Sequence, residues 1–108
     1  MDKKTKYRIG SFLFFPVLSL LKSGQNTVKL SKKQNALLLL LYEKRNKYLS
    51  RDEALRKIWE NDSFYTARSM DVYICALRQK LKDDPEVRIV TKRDTGHMLV
   101  VPSALDDE

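Results

Sequence analysis

Thr66-Ala67-Arg68-Ser69-Met70-Asp71-Val72-Tyr73-Ile74-Cys75-Ala76-Leu77-Arg78-Gln79-Lys80-Leu81-Lys82 is the stretch on which the reading of this chain turns. Met70, Ile74, Leu77 and Leu81 follow one another at spacings of 4, 3 and 4, which lines one face of an α-helix with a narrow apolar stripe. Asp83, Asp84 and Pro85 stop the helix. A helical wheel places Arg68, Val72, Cys75, Ala76 and Gln79 opposite the stripe, with Ser69, Tyr73, Arg78, Lys80 and Lys82 on its flanks. Four basic residues stand against one acidic residue, a local charge of +3. Cations at the edges and small side chains in the centre suit the major groove of duplex DNA, where phosphates flank the base edges on the floor. The same wheel also describes a plain solvated amphipathic helix.

Working outward, Ser50 with Glu53 reads as a capping box, and Ala54, Leu55, Ile58 and Trp59 follow at helical spacing, so a short helix with one buried face precedes the long one. Asn61, Asp62 and Ser63 break that pattern and leave Phe64 and Tyr65 in a loop. Further upstream, Ser31 with Gln34 forms another capping box ahead of a leucine-rich helix over residues 35–45, closed by Asn46 and Lys47. Residues 7–10, 12–15, 18–22 and 27–30 are short β-friendly runs separated by Gly10, Pro16 and a polar stretch at 23–26, the pattern of a small antiparallel sheet. Beyond Pro85, residues 87–91 and 98–101 flank a polar turn at 92–96 and predict a hairpin. Residues 1–6 read as a linker remnant, 7–102 as one domain, and 103–108 as an acidic tail.

With 108 residues, 43% of them hydrophobic, the chain holds one modest core and not two. Its net charge of +7 and pI near 9.6 favour a polyanionic partner. Cys75, the single cysteine, allows no internal disulfide and fits a reducing cytoplasm, and one cysteine with one histidine makes no zinc site. Lys3, Lys4, Lys6 and Arg8 before the apolar residues 12–21 mimic a secretory signal, but Pro16 and Ser19 interrupt the run and no small-x-small cleavage pattern follows. An enzyme is disfavoured: there is no nucleophile–base pair, no glycine-rich phosphate loop and no metal-ligand cluster. No cofactor and no metal are expected. A module that offers its basic helix to an acidic protein is the competing reading; salt dependence together with sequence preference distinguishes a DNA reader from it.

Helix, short helix, longer helix and hairpin, in that order, describe a winged helix-turn-helix, an α+β fold. Lys92 and Arg93 at the hairpin tip would then reach a phosphate or an adjacent minor groove. Leu30-Ser31, Leu37-Leu38, Leu40-Leu41, Leu49-Ser50-Arg51-Asp52-Glu53, Ile58-Trp59, the run Arg68 to Ile74, Leu77-Arg78-Gln79-Lys80-Leu81, Asp84-Pro85 and Thr95-Gly96 carry a family pattern. On these residues the chain, from Tyr7 to Val101, resembles the C-terminal effector domain of OmpR/PhoB-type bacterial response regulators.

The resemblance implies a four-stranded N-terminal sheet, three helices and a C-terminal hairpin wing. It implies sequence-specific binding of double-stranded DNA, as a dimer on tandem direct repeats, in the output half of a two-component regulator. Carried onto this chain, the contacting positions are Arg68, Ser69, Tyr73, Ala76 and Arg78 on the helix and Thr91 and Arg93 in the wing. Asp71 stands at an acidic position that organises neighbouring arginines; a carboxylate favoured by the helix dipole is the alternative. The loop Asn61, Asp62 and Ser63 would meet RNA polymerase, and a receiver domain is expected in the full-length protein. A cytoplasmic location without membrane contact follows. Tyr73, Ala76, Asp94, His97 and Asn35 depart from the family, which often has histidine, arginine, glycine, an aromatic and a buried phenylalanine there.

Overall fold

The computed structural model describes residues 2–58 and 67–102. Four strands, β1 (Tyr7–Ile9), β2 (Phe12–Phe15), β3 (Leu20–Ser23) and β4 (Asn26–Lys29), form an antiparallel meander in sequence order. Helices α1 (Lys32–Glu43), α2 (Arg51–Ile58) and α3 (Ala67–Lys80) follow. The chain then closes with a hairpin of β5 (Arg88–Lys92) and β6 (Gly96–Val100). This is the α+β winged helix-turn-helix expected from the order of elements.

Alternation along the sheet sends Ile9, Phe12, Phe14 and Leu21 into the interior. There they join Leu37, Leu38 and Leu41 of α1, Met70, Ile74 and Leu77 of α3, and Leu99 of β6 in one core. Leu81 is buried with them, so the whole predicted stripe of α3 faces inward. Tyr7 stacks on Tyr42 with ring centroids 4.7 Å apart and fastens the sheet edge to α1.

Element ends differ from expectation where a turn takes a left-handed residue. Ser19 has φ of 56°, so the turn after β2 extends to it and β3 starts at Leu20, not 18. Val17 and Leu18 stay exposed in that turn. Asn35, at the position the family often gives to phenylalanine, lies half-buried and donates from Nδ2 to the Pro16 carbonyl at 2.8 Å, tying α1 to the same turn. The Ser31–Gln34 capping box is complete, and α1 therefore begins at Lys32.

The second capping box is only half made. Ser50 Oγ accepts from the Glu53 N–H at 3.1 Å, but the Glu53 carboxylate turns to Lys44 at 2.7 Å and Lys57 at 3.0 Å. These two ammonium groups, Lys44 foremost, hold the Glu53 carboxyl below its ordinary range. Trp59, Phe64, Tyr65 and Thr66, to which the sequence reading gave a core side chain, a loop and a helix start, lie outside the described residues.

Asp84 joins the end of α3 to the first turn of the sheet. Its carboxylate accepts from the Ser11 N–H at 2.8 Å and the Glu86 N–H at 3.0 Å, and these bonds lower its pKa below the usual aspartate range. Asp84→Ala is expected to destabilise the domain by about 1–2 kcal/mol at neutral pH, from two lost bonds to an ionised acceptor. Because the folded-state pKa is depressed, the stabilisation is present above the unfolded pKa and is lost as pH falls through the folded one. Urea midpoints of the variant and the parent should therefore converge in acid.

Among the described residues no helix is long and apolar enough to cross a membrane, and no three His, Cys, Asp or Glu side chains come together as a metal site.

Candidate nucleic-acid interface

Burial of the Met70, Ile74, Leu77 and Leu81 stripe turns the opposite face of α3 to solvent. Val72, at 64% exposure, is the most exposed large apolar residue among the described residues, and Cys75 and Gln79 lie in the open beside it. Ala76 is half-buried. Tyr73 packs partly against the core from the flank, so the fold engages it more than the wheel suggested. Arg68 and Ser69 fall in the first turns of α3. Asn61, Asp62 and Ser63 lie outside the described residues.

Asp71 is not in the first turn of α3, which removes the helix-dipole explanation for it. Its Oδ1 instead sits 3.8 Å from Arg51 Nη2 on α2. Both side chains are more than a third exposed, so the pair orients Arg51 more than it stabilises the fold.

The wing is fixed to α3 by Arg78. Its Nε donates to the Ile89 carbonyl at 2.9 Å, and its Nη2 donates to Thr91 Oγ1 at 2.8 Å. Thr91 Oγ1 in turn lies 2.8 Å from Nδ1 of His97, its partner across the hairpin. The two expected contact residues Arg78 and Thr91 are thus brought together, each already bonded to the protein. Arg93, the other expected wing residue, is exposed in the turn beyond β5. Asp94 beside it has φ of 67°, a left-handed position that suits glycine and that aspartate tolerates.

The hairpin is also anchored from behind. His97 exchanges backbone bonds with Leu49, N–H to carbonyl at 3.0 Å and carbonyl to N–H at 2.7 Å. Asn46 donates its N–H to the Leu99 carbonyl at 2.8 Å and accepts the Val101 N–H on Oδ1 at 3.1 Å. The wing is therefore held to α3 through β5 and to Asn46 and Leu49 along the length of β6. His97, 1% exposed, is the residue the sequence reading left without a part in the interface; its only signal there was its departure from the family's aromatic.

Residues 24–99 match the profile of a family described as "Transcriptional regulatory protein, C terminal". The chain belongs to this family. The OmpR/PhoB-type resemblance is thereby borne out, and the winged helix described above is the fold of a transcriptional regulator's C-terminal domain. Its relatives include the transcriptional regulatory protein RprY of Bacteroides fragilis, 43% identical over 89% of this chain and 41% of RprY. The chain spans less than half the length of the curated relatives it matches. Among solved structures, the DNA-binding domain of E. coli CadC superposes with a TM-score of 0.80 at 28% identity, covering 94% of this chain and 96% of that one. The Klebsiella pneumoniae RstA DNA-binding domain, in complex with the RstA box, gives 0.74 at 28% identity over 89% and 97%.

Proposed function

We propose that this domain is the DNA-reading output unit of a two-component response regulator, acting in the cytoplasm and without enzymatic activity of its own. Its α3 lies in the major groove of duplex DNA, with the wing against the neighbouring phosphates or minor groove. The observation that carries this reading is the pairing of an outward, cation-edged α3 face with a wing bonded alongside it through Arg78. Further support comes from RstA, whose similar domain is solved on its DNA box.

In this reading Arg68, Ser69, Tyr73 and Ala76 face base edges and phosphates from the helix, and Arg78, Thr91 and Arg93 hold the backbone from the wing side. Two copies bind tandem direct repeats as a dimer. A receiver domain belongs to the full-length protein, and the segment Asn61, Asp62 and Ser63 faces RNA polymerase.

Selection of bound duplexes from a random pool tests the reading and finds the target together. Enrichment of one sequence is expected. With about four to six phosphates neutralised, affinity for that sequence should fall roughly 100- to 1,000-fold between 50 and 200 mM salt. Salt-sensitive binding with no preferred sequence would overturn the specific-reader assignment, and capture of acidic protein without duplex would favour the protein-binding alternative.

A further inference from the structure

His97 is the one histidine of the chain, and it is buried in the wing, one pair back from the turn, with Nδ1 on Thr91 Oγ1. Thr91 Oγ1 also receives Arg78 Nη2, so a single hydroxyl joins the interior of the hairpin to a cation on the outer edge of α3. A hydroxyl has one proton to give and lone pairs to receive with. When the His97 ring is neutral and its Nδ1 accepts, Thr91 donates its proton inward and offers a lone pair to Arg78. The three groups then form a chain with one consistent direction of donation, from Arg78 through Thr91 to His97.

We propose that His97 is a positioning residue for the DNA contact: through Thr91 it holds the Arg78 guanidinium against the wing in one orientation. Arg78 spends Nε on Ile89 and Nη2 on Thr91, and Nη1 is the donor the wing does not use. A guanidinium held at two of its nitrogens presents the two N–H groups of the third at a set angle, which lowers the ordering cost of a phosphate contact. The inference rests on the DNA-reading function proposed above.

The environment of His97 keeps the ring neutral. Its Nε2 is buried without a hydrogen-bond partner among the described residues. With Nδ1 accepting, the neutral ring carries its single proton on Nε2; a second proton would go to Nδ1, turn that acceptor into a donor aimed at Thr91 and bury a charge. The charged groups facing it are Arg51 from α2 and Asp71 and Arg78 from α3. Burial foremost, then Arg51, lowers its pKa below the ordinary value of 6.5, with Asp71 opposing and Arg78 adding to the effect.

The test uses the full chain, isotopically labelled for NMR, as parent and as His97→Asn, His97→Phe and Thr91→Val variants. His97→Asn keeps an acceptor near the Nδ1 position without titrating in the physiological range, while His97→Phe keeps a buried ring and removes the acceptor. The expected result is an Arg78 Nε–H that exchanges slowly in the parent and in His97→Asn, and faster in His97→Phe and Thr91→Val. In the parent its resonance should also shift with the midpoint at which the His97 ring protonates. On the duplex recovered from the random pool, His97→Phe should bind about fivefold more weakly, the equivalent of one lost hydrogen bond, with His97→Asn close to the parent.

Unchanged Arg78 exchange in His97→Phe, or equal behaviour of the Asn and Phe variants, would overturn the role of His97 while leaving DNA reading intact. If His97→Phe fails to fold, Thr91→Val decides the matter, because Thr91 is exposed. Arg78 exchange in Thr91→Val that matches the parent would likewise overturn the proposal. A parent chain that enriches no duplex refutes the DNA reading itself, and this positioning role with it.

Discussion

Gly96→Ala is expected to destabilise the domain by about 3–5 kcal/mol, a large share of the roughly 5–15 kcal/mol that holds a domain of this size folded. Gly96 has φ of 138°, and a Cβ built there would stand 2.1 Å from the Leu49 carbonyl oxygen and 2.8 Å from its carbon. Both are backbone atoms, so no rotamer change relieves the clash. The strand must move off Leu49, breaking the paired bonds that His97 makes with it and opening the interior beside Leu99. Loss of two backbone bonds plus backbone strain accounts for the magnitude. Gly24→Ala is the control. It has φ of 60° but open space around it, so about 1–2 kcal/mol is expected. Urea unfolding of both variants checks the claim; equal costs would mean that the Leu49 contact is not what Gly96 serves. At temperatures where Gly96→Ala remains folded, the wing should be the first segment to exchange its amide hydrogens.

The second large effect separates the two faces of α3. Leu77 is 0% exposed, at the centre of the buried stripe, and Leu77→Ala should cost about 3–4 kcal/mol through lost transfer energy and the cavity left behind. For a domain of this size that lowers the melting temperature by about 15–25 °C. Val72 lies five residues earlier on the other face, exposed to 64%. Val72→Ala should change stability by less than about 0.5 kcal/mol. On the selected duplex, however, it should cost about 1 kcal/mol of preference over scrambled DNA, the low end for a single base position. Melting curves and competition binding on the same two proteins check both halves. A Val72→Ala chain as specific as its parent would remove that face from base recognition.

The two variants also show why much of this fold is legible from residues alone. Short β-friendly runs punctuated by turn residues give way to apolar spacing of about 3.6 in the helices and then to two further short runs, and each change falls close to a real boundary. Ser31 with Gln34 marks the start of α1 within the same stretch of chain that makes the bonds. Such signals are local, and local signals survive into the structure. Ser50 with Glu53 shows the limit: the pattern is the same, but Lys44 at the C-cap of α1 offers the Glu53 carboxylate a stronger, charged partner than the backbone N–H of its own cap.

The interface residues divide in the same way. Helical periodicity alone identifies Val72, Cys75 and Gln79 as outward residues of α3, since their exposure follows from the burial of Met70, Ile74, Leu77 and Leu81. The order of elements and the spaced family residues likewise determine the winged helix-turn-helix and the family. Tertiary structure alone decides that Arg78 and Thr91 are joined to each other, that Asp71 turns to Arg51, and that His97 stands inside the wing behind them. Arg78 and Thr91 are 13 residues apart, and the Thr91 hydroxyl on β5 takes one partner from α3 and the other from β6. Periodicity states which side of an element faces the core, but not which outward side chains of two packed elements fall within a hydrogen bond of one another. That depends on how the wing settles against α3, and therefore on Leu49 and Asn46, which bond β6, and on Gly96, which lets Leu49 come close.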